Sequence, residues 1–132
     1  MIKTIFSASP TNLPLAEALQ WDYDPERITV PIFLVSSTGN GDENLVVSGT
    51  QLKEIYEAVP VTVTKVMARR TNADHGDMLY SADGYMTAWF RWQLMGDTQA
   101  AKAFVGDNPE LLSNAMYQDQ RIDLVPESDP TA

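Results

Sequence analysis

The run Ile32-Phe33-Leu34-Val35 constrains this chain more than any other feature. It follows Arg27-Ile28-Thr29-Val30-Pro31, is rich in β-branched and aromatic residues, and stops abruptly at Ser36-Ser37-Thr38-Gly39-Asn40-Gly41. A strand with one wet face alternates apolar and polar side chains. One that is apolar at every position needs cover on both faces, as strands of helix-flanked parallel sheets have. The spacing predicts a strand over about 28–36, then a loop. Ser48-Gly49-Thr50-Gln51 opens a helix that Ser48 or Thr50 can cap, and Leu52, Ile55, Tyr56 and Val59 fall on one face before Pro60 ends it. Val61 to Ala68 alternates toward a second strand, about 61–69, before the polar turn Arg70–Gly76. Strand, helix, strand in that order is a βαβ unit whose strands pair in parallel through a right-handed crossover. The fold class is therefore α/β, with a two-stranded parallel core and three or four helices.

The flanks are less regular. Residues 1–27, punctuated by Pro10, Pro14 and Pro25, read as an irregular lead-in with one short helix around Leu15–Leu19. Ser81 starts a long amphipathic helix through Tyr85, Ala88, Trp89, Trp92 and Leu94, which Gly96 stops, and Asp97 is placed to cap a further helix over Thr98–Phe104. Tyr85, Trp89 and Trp92 recur at helical spacing and read as core. Residues 108–132 give a short helix near Glu110–Ser113 and then a loose acidic tail ending Glu127-Ser128-Asp129-Pro130.

A chain of 132 residues, 44% of them hydrophobic, suits one globular unit or a piece of one. Its formal charge of -9 repels phosphate, so neither nucleic acid nor an anionic membrane is an expected partner. The absence of cysteine excludes disulfides, zinc-thiolate and iron–sulfur sites, and a cysteine nucleophile. No signal peptide or membrane-spanning run is read in the sequence, and in a longer parent an export signal would lie upstream of Met1. Localisation stays open.

Two polar turns carry the candidate chemistry. Asp42 lies in Gly39-Asn40-Gly41-Asp42-Glu43-Asn44 beyond the first strand, and His75, the one histidine, lies in Asn72-Ala73-Asp74-His75-Gly76-Asp77-Met78 beyond the second. Each could be an ordinary loop residue. Yet functional groups of parallel sheets collect beyond the carboxyl ends of strands, and two adjacent strands would bring this carboxylate and this imidazole together. Histidine can take and return a proton near neutral pH, and a carboxylate that fixes its tautomer is what an acyl-transfer base needs. Asp74, Asp77 and Glu43 are alternative acids. One histidine and two carboxylates in Asp74-His75-Asp77 do not make a metal-ligand motif, and no metal or other cofactor is expected. Arg69-Arg70, the one basic doublet, reads as a solvated turn.

The order acid then base is also that of serine hydrolases with the α/β-hydrolase fold. Val30 to Val35 followed by Gly39-Asn40-Gly41-Asp42-Glu43-Asn44-Leu45-Val46 resembles their late strand and acid turn. Ala73-Asp74-His75-Gly76-Asp77-Met78-Leu79 resembles the histidine loop of secreted bacterial members akin to dienelactone hydrolases and polyester hydrolases. Tyr85 to Asp97, continued by Ala100-Ala101-Lys102-Ala103-Phe104, is similar to their last helix. The likeness covers about residues 28–107. It implies the C-terminal portion of a carboxylic-ester hydrolase with Asp42 as triad acid, His75 as base, an ester substrate, and a parent that is exported.

The departure from that pattern is large. No Gly-x-Ser-x-Gly elbow occurs, and Ser36, Ser37, Ser48 and Ser81 lie in other contexts. The fold as a single domain takes about 250 residues. The expectation is a chain inactive alone, which associates through an exposed sheet edge with the missing N-terminal portion or with itself. Two other readings use the same features. Ser36-Ser37-Thr38-Gly39-Asn40-Gly41 resembles the phosphate loop of flavodoxins, which would imply bound FMN, and a non-catalytic interaction module descended from a hydrolase would share the fold.

Overall fold

The structure, a computed structural model, describes residues 1–126, so the expected acidic end Glu127–Pro130 lies outside the described residues. The chain is α/β. Four strands, β1 (Ile5–Ala8), β2 (Ile32–Ser37), β3 (Lys65–Arg70) and β4 (Tyr117–Asp123), lie side by side in sequence order. The first three are parallel and β4 runs antiparallel to β3. Helices α1 (Leu13–Ala18) and α2 (Gly49–Ala58) connect the parallel strands. The short α3 (Met78–Ser81), the long α4 (Asp83–Met95), α5 (Thr98–Ala101) and α6 (Glu110–Ser113) lie between β3 and β4.

Every residue of β2 is buried, as its unbroken apolar run requires. Phe33 and Val35 face one core with Val66, Ala68, Trp89, Phe104 and Leu111. Ile32 and Leu34 face the other with Leu52, Ile55, Tyr56 and Met67. Ser48 caps α2 through a capping box with Gln51, and Gly96 ends α4 at φ +63. Asp97 caps α5.

The expected two-stranded core is corrected to four strands. Residues 1–27 contain β1, and residues 108–126 contain β4. Four residues before Ser9-Pro10 are too few to show a period, and β4 carries the polar sequence of an exposed edge. The predicted strand bounds 28–36 and 61–69 also move. Residues Pro25–Arg27 form a 3₁₀ turn, and β2 starts only after Pro31. The turn closed by the Val63 amide on the Pro60 carbonyl delays β3 to Lys65. Lys65 is itself buried, and its ammonium donates to the Tyr56 and Val59 carbonyls at the end of α2, at 2.9 and 2.7 Å. Burial lowers its pKa, because the charged form loses water.

Candidate active site

Ser37 at the end of β2 is in register with Arg70 at the end of β3. Asp42 and His75 stand 33 residues apart, the same separation as those two strand ends. Two turns of equal reach therefore leave neighbouring strands side by side. The Asp42 Oδ1 and His75 Nδ1 atoms meet at 2.8 Å. Asp42 is fully buried, whereas the His75 side chain is about half exposed at 49%. Among the sequence-predicted residues these two are brought together.

The approach is possible because two positions lack side chains. A Cβ at Gly39 would lie 2.6 Å from the Ala73 carbonyl oxygen, and one at Gly41 would lie 2.7 Å from a carboxylate oxygen of Asp74. Asp74 and Asp77 serve the backbone of the histidine turn instead of the imidazole. Asp74 Oδ1 accepts the Gly41 and His75 amides, both at 2.7 Å, and Asp77 accepts the Asp74 amide at 2.9 Å. One carboxylate thus ties the acid turn to the base turn. Glu43, the third alternative acid, pairs with Arg69.

The amides of His75, Gly41 and Asp42 hold the Asp74 carboxyl below its ordinary value of 3.8, the His75 amide most strongly. A carboxylate depressed in the folded state adds stability above its unfolded pKa and loses it as pH falls through the folded one. Asp74→Asn should therefore lower the urea midpoint at neutral pH, and the gap to the unaltered protein should narrow once pH drops below 3.8. A gap that stays constant from neutral to strongly acid buffer contradicts this role.

Three donors converge on the other oxygen of Asp42. Oδ2 accepts the Ser37 amide at 2.8 Å, the Ser37 hydroxyl at 2.7 Å and the Ser9 hydroxyl at 2.8 Å. The reading from sequence missed both serines in this role. Ser9, just past β1, sits at φ +49, a left-handed conformation that costs a serine about 1 kcal/mol. Strain of this kind persists where surrounding contacts fix it, and here it directs a hydroxyl to the buried carboxylate. Asn12 helps from the same side, its amide and its side chain both donating to the Val46 carbonyl at the end of the π-helical turn Asp42–Val46.

With Oδ1 as acceptor, the ring proton is assigned to Nδ1, and Nε2 keeps its lone pair. The arrangement can therefore hold an imidazole in one tautomer, receive a proton at Nε2 and stabilise the resulting cation with a buried carboxylate. Ser36 and Ser37 are buried within β2, and the Ser37 hydroxyl is committed to Asp42.

Arg69 corrects the expected solvated turn, being 6% exposed on β3. Arg70 lies over the Tyr117 ring, its guanidinium carbon 5.7 Å from the centroid.

The chain matches no family model and no curated protein sequence. Among the described residues, no helix is long and apolar enough to cross a membrane.

Proposed function

We propose that this chain is the C-terminal, acid–base portion of an α/β-hydrolase acting on carboxylic esters. Asp42 orients His75, and His75 Nε2 takes a proton from a serine carried by polypeptide outside this sequence. That serine attacks the acyl carbon, and His75 returns the proton to the leaving alkoxide. The observation that carries the reading is the contact between the buried Asp42 carboxylate and His75 Nδ1 at 2.8 Å. A carboxylate sealed from water, with three fixed donors on its other oxygen, is arranged for orientation of an imidazole and not for solvent contact.

The two edges of the sheet support a partner at one side. β4 is antiparallel, and Gln118, Asp119, Arg121 and Asp123 put charge and amide groups along it, a common protection against further pairing. β1 offers Ile5-Phe6-Ser7-Ala8, without a charge and only partly buried. The Ile5 and Ser9 amides bond to Pro31 and Val35 of the β2 side, so by alternation the Phe6 and Ala8 amides point outward. A parallel strand bearing the serine would pair there.

The test is hydrolysis of a short-chain aryl ester. The chain alone should be inactive, and joining it to a polypeptide that carries a Gly-x-Ser-x-Gly elbow from a related hydrolase should restore turnover. Turnover by the chain alone that survives loss of His75 rejects the reading. Ser7→Lys, which places an ammonium on the uncharged edge, should weaken association with that polypeptide by tenfold or more, as measured by sedimentation; unchanged association would remove β1 as the docking edge.

A further inference from the structure

We propose that Arg69 is a positioning residue for the Asp42–His75 pair, acting through Glu43 and Ser37 without touching either member. The inference rests on the reading of Asp42 and His75 as acid and base.

Arg69 stands opposite Ser36 in the β2–β3 register, beneath the turn that carries Asp42. Its Nη2 pairs with Glu43, the residue after Asp42, and lies 3.4 Å from the carbonyl oxygen of Ser37, whose amide and hydroxyl both hold Asp42. Its Nη1 pairs with Asp119 of β4 at 3.2 Å. Asp119 adopts φ +57 where the β3–β4 register shifts, and that bulge brings its carboxylate to the guanidinium. Glu43 also accepts the Gly49 amide at the start of α2, at 3.2 Å. A Cβ at Gly49 would come within 2.4 Å of Arg69 Nη1. Four elements thus leave room for one cation.

Stability alone is a poor account of this arrangement. A buried guanidinium loses its hydration, its Nε has no partner here, and apolar residues of similar volume often serve a fold as well or better. What the forked cation adds is geometry, because it fixes the residue after the acid and the strand end that holds the acid. The charged groups facing Arg69 are Glu43 from the acid turn and Asp119 from β4, with Lys53 of α2 and Arg121 of β4 at the rim. Those facing His75 are Asp42 and, through the turn backbone, Asp74 and Asp77.

The single histidine makes the test direct. Imidazole nitrogen NMR on the full chain reports the tautomer of His75 without requiring catalysis. In the unaltered protein the neutral ring should be mainly the Nδ1–H form. Arg69→Met should shift the tautomer ratio several-fold toward Nε2–H, since Nδ1–H loses part of its carboxylate contact. Glu43→Gln should act in the same direction, and Arg69→Lys should restore part of the effect. Glu43 is partly exposed, so Glu43→Gln decides the matter if Arg69→Met does not fold. If both variants lower the urea midpoint but leave the His75 signals in place, Arg69 is structural only and the proposal fails. If Asp42→Asn leaves the His75 signals in place, the failure lies in the acid–base pair itself.

Discussion

In the reassembled hydrolase, Asp42→Asn should lower kcat/KM on a short-chain aryl ester by about 10⁴-fold, as removal of the orienting carboxylate does in serine-hydrolase triads. The size follows from hydrogen-bond direction. The Ser37 amide can only donate, and it points at Oδ2 from 2.8 Å. After substitution the amide oxygen must remain there, which turns the amide NH₂ toward His75 Nδ1. A donor in that place stabilises the tautomer protonated at Nε2, whose lone pair then faces the wrong group and cannot accept a serine proton. His75→Ala should cost at least as much, because no other imidazole exists in the chain. Substrate affinity should change little in either variant. Parallel measurement of kcat and KM checks this, and an Asp42→Asn enzyme within tenfold of the unaltered one would remove Asp42 from the mechanism.

The largest effect on stability is expected at Trp89. Its side chain is fully buried, with ring centroids 5.7 Å from Phe33, 5.3 Å from Trp92 and 5.3 Å from Phe104. Its indole N–H donates to the Thr4 hydroxyl at 2.9 Å, and that hydroxyl donates to the Pro31 carbonyl at 2.9 Å. Trp89→Ala should cost about 3–5 kcal/mol through lost burial and the cavity left behind. Domains are stable by only about 5–15 kcal/mol, so a large share of the total is at stake. Trp89→Phe should keep most of the packing and lose about 1 kcal/mol with the hydrogen bond. Because Thr4 immediately precedes β1, the second variant should also loosen the lead-in, seen as faster amide exchange at Ser7 and Ser9. Urea midpoints for the two variants separate these effects. Near-equal losses would mean that the bond to Thr4 matters more than ring volume.

The parts legible in the sequence are those with a local signal. The apolar run at Ile32–Val35 reported burial on both faces, and the Leu52, Ile55, Tyr56 series reported the inner face of α2. Asp42 and His75 were legible because each ends a turn after a recognisable strand. The serines that hold Asp42 were not, since Ser9 and Ser37 differ from other loop serines only in where the chain carries them. Arg69 resembled a solvated residue because its doublet with Arg70 signals a turn. Burial there depends on Glu43 and Asp119, and Asp119 is 50 residues away. β4 was hidden by its own polar composition, which is the property that suits it to the rim of the sheet.

That unequal treatment of the two rims limits what the chain can build by itself. Copies joining through β1 would do so across a twofold axis, each burying the one available ladder in the other. The charged β4 rims would then face outward on both sides, and no third copy could add. Self-assembly by this route stops at a closed pair and does not propagate into fibres.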